Sequence, residues 1–128
     1  MWTGLTFHPG VRKLDNELFS KPKQVDYITG ASLFVKREVW EKVGLLDPNL
    51  FYWEDIDFCV RSRKCGFEIW YVPSAKMWHQ VGGTTGIYFL NFYMARSRIL
   101  FMAKNTSLPQ KLFFAIFFSN NYFTTFIL

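Results

Sequence analysis

The chain contains little cysteine. Only two of its 128 residues are cysteine, Cys59 and Cys65, and they lie six positions apart. This spacing forms neither a C-x-x-C pair nor the framework of a disulfide-rich domain. We therefore expect two structural thiols in a protein of a reducing compartment.

Signals for secretion, membrane crossing and nucleic-acid binding are also weak. Residues 1–10 lack a basic region followed by an apolar core, so we expect no secretory signal peptide. No basic run is interleaved with aromatic residues, which argues against a nucleic-acid partner. The apolar residues 111–128 contain Ser119-Asn120-Asn121 and fall short of the ~20 apolar residues that a transmembrane helix needs. They fit an interfacial helix, a truncated span or a buried packing helix.

Apolar and aromatic residues are abundant. Half of the chain is hydrophobic and 20% is aromatic, which excludes a disordered chain and is unusual for a free-standing soluble one. The length allows one domain at most, or part of one. The net charge of +5 suits an anionic partner such as a nucleotide diphosphate or a phospholipid surface. A solvated basic exterior is the alternative explanation.

Local patterns predict an α/β arrangement. Residues 25–35 have the composition of a strand, in which Gly30-Ala31-Ser32 marks a bulge or a close approach of the backbone to a ligand. The other predicted elements are helices at 37–43 and from about Asp55 to Gly66, strands at 67–72 and 76–79, a flexible loop at 81–86 and helices at 87–102 and 111–128.

The most informative feature is an acidic cluster at the start of the second predicted helix. Glu54, Asp55 and Asp57 place three carboxylates within four positions. Repulsion between neighbouring carboxylates, and their burial, cost free energy unless cations compensate the charge. Such a cluster therefore suggests a function such as proton abstraction or metal binding. Capping of the positive helix end is the alternative role. Asp57 is expected to pair with Arg61 one turn later, or alternatively to help hold the loop that presents Asp55.

The order of motifs resembles a known enzyme family. The motifs are TGASLFVKREVWEKVG at 29–44, FYWEDIDFCVR at 51–61, GF at 66–67, YVPSA at 71–75 and HQVGG at 79–83. Over about residues 25–100 the chain resembles the C-terminal half of a family 2 glycosyltransferase of the rhamnosyltransferase-like subgroup. The resemblance implies the acceptor-side half of a GT-A fold at 1–103. Residues 104–128 would then form an apolar helix that packs or associates with a membrane.

The resemblance also implies the residues that carry out the chemistry. Asp55 matches the base that deprotonates the acceptor hydroxyl in an inverting transfer, and Glu54 is expected to orient the acceptor or the helix end. The Asp55-Ile56-Asp57 triplet matches the family's later acidic motif. The family's Asp-x-Asp that holds the metal and the donor diphosphate belongs to its N-terminal, nucleotide-binding half. No part of this chain resembles that half.

A second group of residues is implied for substrate and metal binding. The substrate-binding residues are Gly30, Ala31, Ser32, Trp53, Gly82 and Gly83. The small side chains leave room beneath the donor sugar and acceptor, and the glycine loop closes over the donor. Trp53 stacks on a sugar or else belongs to the core. His79 would bind a divalent Mg or Mn ion together with acidic residues of the missing half, or it is a packing residue.

These implications define the expected partners and the alternatives. The partners are a nucleotide-sugar donor and a glycan or lipid-linked acceptor, at the cytoplasmic membrane face, with peripheral association. Because the nucleotide-binding half is missing, we expect no turnover by these 128 residues alone. A non-catalytic remnant or a membrane-associated partner subunit is the alternative function.

Overall fold

The computed structural model describes residues 2–10, 13–79 and 86–125. Within them, four α-helices are combined with one small sheet and two short 3-10 helices. In chain order these elements are a 3-10 helix at Glu17–Phe19, β1 (Lys23–Gln24), a 3-10 helix at Gly30–Ser32, α1 (Arg37–Val43), α2 (Glu54–Lys64), β2 (Trp70–Tyr71), α3 (Ile87–Asn105) and α4 (Leu108–Thr125). This content is compatible with the predicted α/β class.

The first two helices lie where the sequence predicts them. α1 ends at Gly44, which has a φ of 81° and donates its N–H to the carbonyl of Trp40 at 2.9 Å. α2 is followed by Gly66, which has a φ of 88°. Because residues with a Cβ rarely adopt positive φ, glycine ends each helix at low cost.

The strand predicted over residues 25–35 is wrong. β1 and β2 pair antiparallel over two residues each, and the N–H of Val25 adds one bond to the carbonyl of Ile69 at 2.9 Å. The chain then forms the 3-10 helix Gly30–Ser32, closed by a 3.1 Å bond to the carbonyl of Thr29. No described strand lies beside residues 26–35, so their backbone groups bond within the segment and to side chains instead.

The later predictions have mixed outcomes. Of the strand predicted at 67–72, only β2 forms, and the described residues 76–79 contain no strand. The loop predicted at 81–86 lies outside the described residues except for Gly86. The helix predicted at 87–102 is confirmed and continues to Asn105, whereas α4 begins three residues before the predicted 111.

The core forms between the start of α2 and the last two helices. Its buried side chains are Leu50, Trp53, Ile56, Phe101, Met102 and Phe114. The rings of Trp53 and Phe101 pack with centroids 5.1 Å apart, and each such side chain contributes about 1.5–3 kcal/mol by its burial. Phe114 belongs to the predicted second segment, residues 104–128, and packs in the same core as residues of the first segment. The predicted division of the chain at residue 104 stays a prediction.

One arginine adds to the packing of α3 on α4. The guanidinium of Arg98 lies over the rings of Phe114 and Phe118, 5.4 and 5.3 Å from their centroids. The same group donates a hydrogen bond to the carbonyl of Thr3, which fixes the N-terminal segment against this helix pair. No helix within the described residues is long and apolar enough to cross a membrane.

Candidate functional site

The acidic motif lies at the N-terminal end of α2, after a strained turn. Tyr52 has a φ of 71° and is the one non-glycine residue with positive φ among the described residues. A bulky residue in this region costs on the order of 1–3 kcal/mol, and such strain clusters at functional sites. The turn delivers Glu54 and Asp55 directly to the first turn of α2, where the positive helix end stabilises negative charge.

Asp55 connects this helix end to the small-residue segment predicted to bind substrate. Its Oδ2 accepts a hydrogen bond from the backbone N–H of Gly30 at 2.8 Å. Its Oδ1 accepts from the N–H of Ile56 at 2.7 Å. Gly30, Ala31 and Ser32 are all exposed, so the carboxylate is held beside an accessible turn. The structure therefore brings Asp55 together with one of the predicted substrate-binding segments.

Glu54 is held in a different environment from its neighbour. Burial raises the pKa of Glu54; backbone N–H groups of Glu54, Tyr52 and Trp53 oppose this change, and the charge of Asp55 reinforces it. Its Oε2 atom is buried without a hydrogen-bond partner among the described residues. The two adjacent acids thus differ, because Asp55 accepts backbone bonds through both oxygens and Glu54 leaves one oxygen unsatisfied.

A tyrosine that the sequence did not single out lies close to the acid motif. Burial raises the pKa of Tyr27, a hydrogen bond with Thr6 lowers it, and the charge of Asp55 raises it further. The hydroxyl of Tyr27 lies 2.7 Å from Nε2 of His8. Tyr27 falls within the strand predicted at 25–35, and no local motif distinguishes it from a packing residue.

Of the remaining predicted site residues, the structure describes Trp53 and His79. Trp53 is 4% exposed and packs in the core, which is the alternative role considered for it. Gly82 and Gly83 lie outside the described residues. His79 is exposed, and the described residues contain no group of three His, Cys, Asp or Glu side chains arranged to hold a metal ion. These residues do not by themselves fit a metal centre, and the divalent ion stays a prediction.

A buried ion cluster fixes α2 behind the site. The predicted pair of Asp57 and Arg61 is confirmed, with 2.7 Å between Oδ2 and Nε. Asp57 is completely buried and also accepts from Lys104 at 3.1 Å and from Asn105 at 2.9 Å. Arg61 donates in addition to the carbonyl of Val43 at 2.7 Å. The cluster joins α2 to the end of α1 and to the end of α3.

Lys104 extends this cluster to the turn before the acid motif. Its ammonium lies 2.8 Å from Oδ2 of Asp47. This hydrogen bond, with help from the backbone N–H and side chain of Asn49, lowers the pKa of Asp47 to about 2. Burial opposes the charged form of Lys104, but the carboxylates of Asp47 and Asp57 outweigh that effect and raise the pKa of Lys104. The charges at the base of the site are therefore compensated.

Comparison with known proteins identifies the class of enzyme. The family described as "Glycosyltransferase like family 2" matches residues 6–96, well over half of the chain. The matched region contains the acid motif and the exposed turn at Gly30. The chain belongs to this family, which confirms the family predicted from the motifs.

Curated proteins that are similar to this chain are glycosyltransferases. Two strains of Mycobacterium tuberculosis, CDC 1551 and H37Rv, have an N-acetylglucosaminyl-diphospho-decaprenol L-rhamnosyltransferase that is 37% identical over 65 residues, which is 50% of this chain and 21% of the relative. The low-salt glycan biosynthesis hexosyltransferase Agl10 of Haloferax volcanii is 37% identical over 43 residues, 33% of this chain and 14% of the relative. The chain thus covers about a fifth or less of these relatives. No solved structure matches.

Proposed function

We propose that the chain supplies the acceptor side of an inverting sugar transferase, with Asp55 as the general base. The observation that carries this proposal is the 2.8 Å hydrogen bond between Asp55 and the backbone of Gly30. It holds a carboxylate of the acidic motif at an exposed turn of small residues, where a sugar hydroxyl has access. A carboxylate fixed in this way loses little entropy when it takes up a proton in the transition state.

The proposed reaction is a single displacement. The acceptor hydroxyl oxygen forms a bond to the anomeric carbon of the donor, and the proton of that hydroxyl passes to the carboxylate of Asp55. The bond from the anomeric carbon to the diphosphate breaks, and the nucleoside diphosphate leaves with the bonding electrons. Because attack comes from the face opposite the leaving group, the anomeric configuration inverts. A positioned base contributes about 10²–10⁴-fold to such a step.

Glu54 is proposed as a positioning residue for this base. Its half-buried carboxyl stabilises the strained entry into α2 through the backbone N–H groups of Tyr52 and Trp53. The exposed Gly30–Ser32 turn forms the floor of the acceptor site, and its small side chains leave space for the sugar ring. These assignments follow the family resemblance residue by residue.

The donor site is proposed to lie in another part of the protein. We propose that these residues form the acceptor-side half of a GT-A fold, with His79 reaching a divalent ion held mainly by the nucleotide-binding half. The 128 residues alone are then expected not to turn over. The mycobacterial relative is named for a decaprenol-linked acceptor, which favours a lipid-linked acceptor and peripheral association with the cytoplasmic membrane face.

The test is the stereochemistry of the product formed by the native polypeptide from its source cell. The protein is incubated with nucleoside-diphosphate L-rhamnose and other nucleotide sugars, with a polyprenyl-diphosphate-linked N-acetylglucosamine as acceptor. The proposal predicts a glycosidic product with an anomeric configuration opposite to that of the donor. A retained configuration contradicts the mechanism. Absence of transfer by the native polypeptide with every donor supports the remnant or partner-subunit alternative instead.

A further inference from the structure

The acidic and basic residues are distributed unevenly along the chain. All ten acidic residues lie between Asp15 and Glu68, and ten basic residues in the first 68 positions balance them. Residues 69–128 contain no acidic residue. The five basic residues there are Lys76, Arg96, Arg98, Lys104 and Lys111, and they account for the whole net charge of +5. The charged residues of α3 and α4 are therefore all basic, although Lys104 is paired with Asp47 and Asp57.

α3 exposes an apolar stripe on the side away from the core. Tyr88, Phe92 and Ile99 recur at helical spacing and are between 45% and 89% exposed. The buried residues Ser97 and Phe101 define the opposite side of the helix. Arg96, one turn after Phe92, is also exposed, and one nitrogen of its guanidinium donates a hydrogen bond to the carbonyl of Asn49 at 2.8 Å. Exposed apolar area of this kind marks a surface that is covered in the working protein.

α4 repeats the same arrangement. Leu108, Leu112 and Ile116 are spaced by four residues and are between 60% and 68% exposed, whereas Phe114 and Phe118 face the core. Lys111 is the one charged residue of this helix. α4 also lies entirely beyond residues 6–96, which match the family, so its outward face is an addition to the region shared with that family.

We propose that the outward faces of α3 and α4 dock on an anionic phospholipid surface. Apolar side chains enter the boundary between headgroups and acyl chains, while Arg96 and Lys111 meet lipid phosphates. Neither helix carries an acidic side chain that would be repelled by such a surface, and the charge of Asp47 beside α3 is compensated by Lys104. This inference rests on the proposed lipid-linked acceptor, because an enzyme that uses such an acceptor must work at the membrane that holds it.

The experiment measures binding of the full chain to vesicles, without any measurement of transfer. The protein is sedimented with vesicles of phosphatidylcholine alone and with vesicles of phosphatidylcholine and phosphatidylglycerol in equal parts. Stronger binding to the anionic vesicles is expected, with a decrease as salt is added. Phe92→Ala and Leu112→Ala are each expected to weaken partitioning by about tenfold, the scale of one large apolar side chain removed from the interface.

Phe34→Ala is the matched control, because Phe34 is 94% exposed but lies outside both helices. It is expected to bind vesicles as the wild type does.

Hydrogen exchange of the wild-type chain gives a second measurement that needs no variant, and slower exchange in residues 108–116 is expected on anionic vesicles. Equal binding to the two vesicle types, no binding, or self-association that Phe92→Ala abolishes would overturn the proposal. A failure of transfer with intact vesicle binding would instead affect only the catalytic assignment.

Discussion

The carboxylate of Asp55 accepts a hydrogen bond from the backbone N–H of Gly30, with 2.8 Å between Oδ2 and N. The two residues are 25 positions apart and belong to the two motifs that most strongly suggest the family, 29–44 and 51–61. One contact therefore joins the acidic motif to the small-residue turn. It also stabilises the 3-10 conformation of Gly30–Ser32 from outside the segment.

Gly30→Ala tests whether the space beside this contact is used by the substrate. A Cβ at Gly30 would lie 3.6 Å from Asp55, an ordinary van der Waals distance. The free energy of unfolding is expected to change by less than ~0.5 kcal/mol. The value of kcat/KM in the native polypeptide is expected to fall by about tenfold to a hundredfold, because the methyl group displaces the acceptor.

Gly10→Ala is the control for this substitution. Its Cβ would meet only the ring of Phe19, at 3.4 Å or more, and no change in kcat/KM is expected. An unchanged kcat/KM for Gly30→Ala would show that the turn does not border the acceptor.

Asp57→Ala is expected to be strongly destabilising. The side chain is completely buried and accepts hydrogen bonds from Arg61, Lys104 and Asn105. Its removal leaves the half-buried Arg61 without a carboxylate partner and leaves Lys104 with Asp47 alone, and breaking such a buried pair costs about 3–5 kcal/mol. Urea unfolding measures the loss, with Asp26→Ala as the control. The side chain of Asp26 is 81% exposed in its pair with Arg63, and an exposed pair contributes about 0–1 kcal/mol. Equal losses of unfolding free energy in Asp57→Ala and Asp26→Ala would refute the role of the buried cluster.

Glu54→Gln is expected to change the dependence of stability on pH. The folded protein raises the pKa of Glu54 above its ordinary value of 4.5, chiefly by burial. Wild-type stability from this group is thus fully present below pH 4.5 and is lost as the pH rises through the raised pKa. The neutral glutamine does not ionise, so the variant should gain stability relative to wild type as the pH rises above 4.5. Parallel unfolding curves over this rise in pH would contradict the assignment.

Trp53 and Trp78 form a matched pair for the role of aromatic burial. Trp53 is 4% exposed and packs on Phe101, whereas Trp78 is 93% exposed. Trp53→Ala is expected to lower the free energy of unfolding by about 3–5 kcal/mol. Trp78→Ala is expected to change it by less than ~0.5 kcal/mol. Thermal or urea unfolding separates the two, and a mild effect at Trp53 would revive a role in sugar stacking.

The helices could be predicted because their signals are local. Gly44 and Gly66 follow the last turns of α1 and α2 and adopt the positive φ that ends a helix. The strand predicted at 25–35 failed because β structure needs a partner along its whole length. In the described residues the partner, β2, reaches only as far as Trp70–Tyr71, and no property of residues 25–35 reveals that limit.

The candidate site could be predicted in part for the same reason. The acids Glu54 and Asp55 stand out as a local cluster, and the resemblance assigns them roles. The burial of Glu54, the positive φ of Tyr52 and the proximity of Tyr27 depend on contacts distant in sequence. Trp53 shows the limit most clearly, because one aromatic residue beside an acid motif is compatible with the core as well as with a sugar.

The most direct test of the account is the turnover number of Asp55→Asn in the native polypeptide. The asparagine carbonyl retains an acceptor for the N–H of Gly30, but the amide nitrogen cannot accept from Ile56, so the free energy of unfolding should fall by about 1–3 kcal/mol. Because the amide cannot take up the acceptor proton, kcat is expected to fall by about 10²–10⁴-fold, while Asp26→Asn keeps full activity. A folded Asp55→Asn protein that retains wild-type kcat would contradict the assignment of Asp55 as the base.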